Sequence, residues 1–144
     1  MTRSIQIVVV AIVGMFVSLL YGGLKTGLYS PNIITALLFQ GLILYGVIKS
    51  HKLAWQWGRF TSVVGFIGMV AGLVGKLQGG YLVTYSDLPY IMVAGFAAIV
   101  FLALGTESSR EHFGLVCPSC SSHKVAAENL MFSKAKCRQC KSTW

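Results

Sequence analysis

Four apolar segments occupy most of the first 104 residues. They cover residues 5–21, 33–48, 60–77 and 88–104, and none of them contains an acidic residue. Each segment is close to the roughly 17–25 residues that a helix needs to cross the hydrocarbon core of a bilayer. A helix of a soluble bundle would carry a polar face, and these segments carry none. The pattern therefore predicts an all-α polytopic membrane domain, residues 1–106, with four transmembrane helices.

Glycine, proline and tryptophan mark the ends of these segments. Ser30 and Pro31 predict the start of the second helix, because a capping residue followed by proline suits a helix N-terminus. Gly79 and Gly80 predict the end of the third helix. The loop of residues 49–59 combines cations with Trp55 and Trp57, so both indoles are expected at the membrane interface, half buried and half hydrated.

Composition and charge agree with a membrane protein. The chain has 55% hydrophobic and 11% charged residues, with 12 basic and 4 acidic side chains. If the N-terminus is cytosolic, the short cytosolic flanks carry five cations: Arg3, Lys49, Lys52, Arg59 and Arg110. The opposite flanks carry Lys25 and Lys76. Because cytosolic loops are enriched in Lys and Arg, this distribution predicts that both termini are cytosolic.

A glycine seam runs along the third predicted helix at alternating spacings of three and four residues, a glycine zipper. Its helix-packing residues are Gly65, Gly68, Gly72, Gly75 and Gly79, preceded in register by Gly58 and Thr61. Small residues let another helix approach closely in lipid. The partner is expected to be a helix of the same chain, or else a second copy or another protein's helix. A pore lining is the remaining alternative. Gln40, in the second segment, is expected to bond to another helix.

The four cysteines all lie in the last 28 residues, as two Cys-x-x-Cys pairs. Cys117 and Cys120 are separated from Cys137 and Cys140 by 16 residues, inside the spacing window of a four-cysteine zinc site. Two such turns can complete a tetrahedron of thiolates with no open position. Metal binding would then supply much of the folding free energy of residues 113–144. A disulfide or thiol redox pair is the alternative.

Residues 117–125 and 135–144 resemble the zinc-ribbon family of small β-modules, which is found in transcription factors, transposases, ribosomal proteins and many bacterial membrane proteins. The resemblance covers the C-terminal tail and implies one structural zinc per chain and a binding surface. In that family each knuckle usually ends in glycine, where this sequence has Ser121 and Lys141. Since glycine tolerates the positive φ of the knuckle, both turns are expected to be slightly strained. His123 is expected to be an exposed turn residue and not a ligand.

The helical part is similar to a common bacterial pattern of two helical hairpins joined by a basic, tryptophan-containing loop. This resemblance implies a bacterial inner (plasma) membrane and names no activity. Together with the tail, it predicts four membrane helices followed by a cytosolic β zinc ribbon.

The remaining chemistry is sparse. The four acidic residues, Asp87, Glu107, Glu111 and Glu128, form no recognisable spacing with a histidine, and no phosphate-binding loop or nucleophile elbow is present. We therefore expect a non-enzymatic adaptor or accessory subunit. Its partners would be the lipid bilayer and a protein or a second copy, contacted through the third helix and the ribbon. The alternatives are a metal or redox sensor or rubredoxin-like electron carrier, and a small channel or transporter. Nucleic acid is disfavoured, because a zinc tetrathiolate would leave the tail with little net positive charge.

Overall fold

The protein is mostly helical and ends in a two-stranded sheet. The computed structural model describes residues 2–26, 31–128 and 134–144, and the side chains of residues 25, 26 and 31–33 lie outside this description. Four long helices come first, in the order α1 (Arg3–Thr26), α2 (Pro31–Ile48), α3 (Lys52–Gln78) and α4 (Leu88–Gly105). A 3-10 turn (Tyr85–Asp87) precedes α4, and the short helix α5 (Glu107–His112) follows it. The strands are β1 (Val125–Ala127) and β2 (Ala135–Cys137).

Helix α4 is the centre of the bundle. It packs most extensively against α1 and then α3, while α2 lies against α1 and α3. The buried positions of α1 recur at helical spacing, which gives the helix one inward stripe. Those positions are Ile5, Val8, Ala11, Ile12 and Met15. The outward positions are also apolar, with Leu42 and Leu102 each 69% exposed. An apolar outer surface suits a hydrocarbon environment.

Among the described residues, three helical segments are long and apolar enough to cross a membrane. They are Arg3–Leu24, Lys52–Gln78 and Tyr85–Gly105. Helix α2 has 18 residues, which makes it about 27 Å long at 1.5 Å per residue. Its described apolar part, Ile34–Ile48, is shorter than the other three segments. Three membrane-capable helices are therefore present, and the fourth predicted span is not confirmed.

The C-terminus of α4 is buried, and side chains satisfy its last carbonyl groups. Trp55 Nε1 donates a hydrogen bond to the carbonyl oxygen of Leu104 at 2.8 Å. Thr106 Oγ1 and Ser109 Oγ both donate to the carbonyl oxygen of Ala103, at 2.8 and 2.6 Å. The Ala103 carbonyl oxygen also accepts the Thr106 backbone N–H at 3.3 Å. A buried carbonyl at a helix end would be costly without any partner. The expectation that the Trp55 indole is half hydrated is therefore not met. Its ring is buried because its N–H is needed at the end of α4, whereas Trp57 is 36% exposed.

At the opposite end of the bundle an ion pair joins α3 to the start of α4. Lys76, in the last turn of α3, donates to the carboxylate of Asp87. Asp87 is only 3% exposed and also accepts a hydrogen bond from the Thr84 backbone N–H at 3.0 Å. The chain reaches this contact through the turn at Gly79 and Gly80, and Gly80 has φ +77°. The ion pair thus links the end of α3 to the start of α4.

We expect Asp87→Asn to lower the melting temperature of the purified protein by a few degrees. The amide keeps the size of the side chain but loses the charge that strengthens its hydrogen bonds with Lys76 and Thr84. Thermal unfolding in neutral detergent measures the effect. Glu128→Gln removes an exposed carboxylate and serves as the matched control. Equal melting temperatures for the two variants would contradict a stabilising role for the ion pair.

Candidate metal centre

A tight turn after α5 leads the chain into the cysteine cluster. Gly114 has φ +64°, and the Leu115 N–H donates to the Arg110 carbonyl oxygen at 2.8 Å. Positive φ at this position suits glycine, because it lacks a Cβ atom. The turn buries the side chain of Leu115, which is 1% exposed, and brings Cys117 to the edge of the sheet.

The two Cys-x-x-Cys turns have the same backbone geometry. In the first, the Ser121 N–H donates to the Cys117 carbonyl oxygen at 2.9 Å. In the second, the Lys141 N–H donates to the Cys137 carbonyl oxygen at 3.1 Å. Ser121 and Lys141 have φ values of +53° and +61°. Both residues that stand at the usual glycine positions therefore adopt the left-handed conformation, which costs a non-glycine residue about 1–2 kcal/mol.

The four thiols converge on one point. Their sulfur atoms all lie within 4.8 Å of one another, and Cys117 and Cys137 are buried while Cys120 and Cys140 are exposed. The Cys117 and Cys140 sulfurs are 3.4 Å apart, and those of Cys120 and Cys137 are 3.6 Å apart. Four thiolates bound at 2.3 Å to a tetrahedral ion would be about 3.8 Å apart. The cluster of Cys117, Cys120, Cys137 and Cys140 can therefore hold a metal ion, as the sequence predicts.

Hydrogen bonds prepare two of the thiols for ionisation. A hydrogen bond with the Ser142 hydroxyl, together with backbone N–H groups, lowers the pKa of Cys117 to about 6. The hydroxyl of Ser142 likewise lowers the pKa of Cys140. For Cys120, the Ser122 backbone N–H lowers the pKa, but partial desolvation of the sulfur and the neighbouring thiols outweigh it and raise the pKa to about 12. Metal ligands must be thiolates, so a bound cation would complete the ionisation that the protein alone favours only in part.

Ser142 is a member of this site that the sequence analysis missed. Its Oγ lies 3.3 Å from Cys117 Sγ and 3.0 Å from Cys140 Sγ. The available signal was its position two residues after Cys140, where a hydroxyl can reach back to the thiols of the turn. Ser142 therefore connects the sulfurs of the two knuckles.

His123 is outside the cysteine cluster, but it is half-buried rather than exposed. Its carbonyl oxygen accepts a hydrogen bond from Arg110 Nη1. Its Nε2 lies 3.8 Å from Glu111 Oε1. These contacts connect the first knuckle to α5, which explains the burial that the sequence did not predict.

The tail shares its core with the helical bundle. Strands β1 and β2 pair antiparallel, with Val125 opposite Cys137 and Ala127 opposite Ala135. The sheet and the turn before it contribute the buried residues Phe113, Leu115 and Ala135 to one hydrophobic cluster with helix residues that include Ile5, Val8, Val47 and Leu104. His112 Nε2 also lies 2.8 Å from Ser50 Oγ in the turn between α2 and α3. The cysteine cluster is thus attached firmly to the helix ends.

The predicted helix-packing glycines of α3 do not form one continuous seam against the other helices of the chain. A Cβ atom built on Gly58 would lie 3.1 Å from Leu104 Cδ1, so this glycine permits close packing of α3 on α4. At Gly65, Gly68, Gly72 and Gly75 a Cβ atom would meet no described atom within 4 Å. At Gly79 it would approach the ring of Tyr81 at 3.1 Å. Within the described chain, helix packing therefore accounts for the seam only at its Gly58 end.

Gln40 lines a cavity of about 220 Å³ inside the helical bundle, together with Ser62 and Met69. Its Oε1 is buried and accepts no hydrogen bond from the described residues. Ser62 Oγ donates to the Gly58 carbonyl oxygen of its own helix at 2.7 Å. The expected interhelical hydrogen bond to the Gln40 oxygen is therefore not formed in the described part of the chain.

The fold and site together define a class of protein: a mostly helical chain with three membrane-capable helices and a C-terminal four-cysteine cluster that can hold a metal ion. No known family model, curated protein or solved structure matches this chain.

We expect Ser121→Gly to stabilise the metal-loaded tail by about 1 kcal/mol or less, because glycine removes the left-handed strain but adds backbone entropy to the unfolded chain. Chelator competition, followed as the rate of metal loss, measures the effect. The matched control is Ser119→Gly, in the same turn at a residue whose φ is not positive. Metal loss from the Ser119 variant should be as fast as from the unaltered protein or faster. Faster metal loss from the Ser121 variant than from the unaltered protein would contradict backbone strain at Ser121.

Proposed function

We propose that this protein is a non-enzymatic, membrane-anchored zinc-ribbon adaptor or accessory subunit that mediates protein contacts at the cytosolic face of a bacterial inner membrane. The observation that carries the proposal is the closed arrangement of four sulfurs within 4.8 Å of one another, attached to the ends of the helices. A site with four protein ligands leaves no position for a substrate, so such a metal serves structure and not catalysis.

Zinc is the metal that we propose, at one ion per chain. A tetrahedral set of four thiolates suits zinc or iron among the common metals. The linker of 16 residues between Cys120 and Cys137 is short compared with that of rubredoxins. Disulfides are disfavoured in a reducing cytosol. A structural zinc also supplies folding free energy to a tail whose sheet has only three residues in each strand.

The proposed topology has four spans and both termini in the cytosol. The start of α1, the turn between α2 and α3, and the end of α4 all lie at the ribbon end of the bundle, which is where most cations of the helical domain are found. Those cations are Arg3, Lys49, Lys52, Arg59 and Arg110. Lys25 and Lys76 lie in the last turns of α1 and α3, at the other end. The enrichment of cations in cytosolic loops supports a cytosolic ribbon. Local thinning of the bilayer would let the 18-residue α2 span it.

The uncovered part of the glycine seam supports a contact outside the chain. Because Gly68, Gly72 and Gly75 are exposed and a Cβ at each would meet no described atom within 4 Å, these glycines leave a flat strip on the surface of α3. In lipid, such a strip favours the close approach of a second helix, since van der Waals packing and weak hydrogen bonds drive association there. We propose that a partner's helix or a second copy of α3 occupies it.

Gly72→Leu tests the strip. We expect the monomer to fold and retain metal, because the new side chain has room in the described chain, while association through α3 falls by about tenfold or more as the backbones are forced apart. Oligomer and complex formation can be followed by cross-linking in native membranes. Gly95→Leu places the same side chain on α4, also at a glycine with no described atom within 4 Å of its Cβ, and should leave association unchanged. Identical cross-linking of the two variants would count against the strip.

Cys137→Ser tests the adaptor. The unaltered protein, purified from native membranes in neutral detergent, should contain one zinc per chain, show no visible absorption band and bring down a specific protein. The Cys137 variant should lose zinc and that protein because the ribbon unfolds, yet resist alkaline extraction from the membrane. His123→Asn, which alters a residue outside the cluster, should keep zinc and partner.

Several outcomes would overturn the proposal. Iron with visible absorption would favour the rubredoxin-like electron carrier. Metal that is lost under mild oxidation would favour the redox sensor. A partner retained by the Cys137 variant would remove the ribbon from the interaction, and flux through liposomes that depends on Gly68 or Gln40 would favour a channel or transporter.

A further inference from the structure

A basic cleft separates the start of α3 from the ribbon. Its volume is about 610 Å³, and four cations line it: Arg59 of α3, Arg110 of α5, and Lys124 and Arg138 of the tail. None of the described residues that line the cleft is acidic. The cations come from parts of the chain far apart in sequence, so the fold has to bring them together.

Arg59 is held at the cleft by aromatic rings. Its guanidinium carbon lies 5.1 Å from the centre of the Trp55 ring and 4.8 Å from that of Phe101. Such stacking uses the faces of the guanidinium and leaves its N–H groups free to donate at the edge. Arg59 Nε is buried and has no hydrogen-bond partner among the described residues. The side chain is therefore positioned but not neutralised.

The guanidinium of Arg110 also has an edge without a hydrogen-bond partner among the described residues. Its Nη1 donates to the carbonyl oxygen of His123, which fixes the side chain against the ribbon. Its Nε is also buried without a hydrogen-bond partner in the described chain. The Nε and Nη2 groups point along the same edge of a guanidinium and match two oxygens of a phosphate or carboxylate. One edge of Arg110 is thus anchored, and the other is available for an anion.

Lys124 and Arg138 lie side by side at the exposed rim. The Arg138 N–H donates to the carbonyl oxygen of Lys124 at 2.8 Å, so their backbones are in direct contact. Both side chains are exposed. Like charges held this close repel one another, and a bound anion would relieve the repulsion.

We propose that this cleft binds a phosphate group, either on the headgroup of an acidic phospholipid or on a soluble phosphorylated compound. Four converging cations, two of them arginines with unpartnered Nε groups, match the charge and the oxygens of phosphate. Arg59 directly precedes the apolar segment of residues 60–77, so it would lie near the phospholipid headgroups if that segment spans a bilayer. The inference concerns binding at the cleft and does not depend on the adaptor role.

The test uses the full-length, metal-loaded protein in neutral detergent. Its melting temperature is followed during titration with inorganic phosphate, with short-chain phosphatidylglycerol, and with sodium chloride at matched ionic strength. Short-chain phosphatidylcholine controls for binding of the acyl chains. We expect phosphate or phosphatidylglycerol to raise the melting temperature at concentrations where chloride and phosphatidylcholine do not. If phosphate acts at concentrations as low as phosphatidylglycerol does, the site favours a soluble ligand. If phosphatidylglycerol acts at much lower concentrations, the site favours a lipid headgroup.

Two variants test whether the anion binds in the cleft. The double substitution Lys124→Gln and Arg138→Gln should weaken binding by about tenfold or more, since two charged contacts are lost. Lys49→Gln removes an exposed cation from the same end of the bundle, outside the cleft, and should leave the Kd within about twofold. Because Arg138 lies between two metal ligands, metal content is measured for every variant. If the double variant loses metal, the single substitution Lys124→Gln replaces it in the test. This variant should show a smaller but measurable loss of binding.

Two results would overturn the proposal. One is a melting temperature that phosphate and phosphatidylglycerol raise no more than chloride or phosphatidylcholine do. The other is equal affinity of the cleft variant and the Lys49 variant, which would mean that the cations of the tail only balance the charge of the metal thiolates.

Discussion

The arrangement of the whole molecule depends on how the carbonyl groups at the end of α4 are hydrogen-bonded. A buried helix C-terminus leaves carbonyl groups that water cannot reach, and each would be costly without a donor. Here Trp55 donates to Leu104, while Thr106 and Ser109 donate to Ala103. The donors belong to α3 and to the start of α5, so three consecutive elements meet at one point. Leu104 can therefore be fully buried at the place where the helical bundle ends.

This junction determines where the cysteine cluster lies. Helix α5 has only six residues, and the turn at Gly114 follows it directly, so the first knuckle cannot move far from α4. Phe113 and Leu115 then enter the core of the helix ends instead of a separate core of the tail. A module too small to be stable alone gains apolar burial from the bundle, and a bound metal ion would add to its stability. The same placement brings Arg110 opposite Arg59 and creates the basic cleft.

Local patterns in the sequence predict part of this structure and miss what depends on tertiary contacts. Apolar runs identified the helices, and the two Cys-x-x-Cys pairs identified the cluster, because each signal lies within a short stretch of chain. The positive φ of Ser121 and Lys141 was also predictable, since the knuckle backbone requires it. The burial of Trp55 was not, because its hydrogen-bond acceptor is 49 residues away. Ser142 as a partner of the thiols and the convergence of Arg59 with Lys124 likewise require the fold.

The repeated glycines of helix α3 lie in two different surroundings. At Gly58 the missing side chain makes room for Leu104, so the glycine is required by packing inside the chain. About three to five turns later, at Gly68, Gly72 and Gly75, the same spacing continues although no described atom approaches a Cβ within 4 Å. Intrinsic helix propensity would favour larger residues there, because each glycine costs about 1 kcal/mol relative to alanine. A helix that keeps these glycines without an internal contact loses stability as a monomer. In the proposed adaptor, close contact with a neighbouring helix offsets that loss, and the ribbon at the other end remains free to bind.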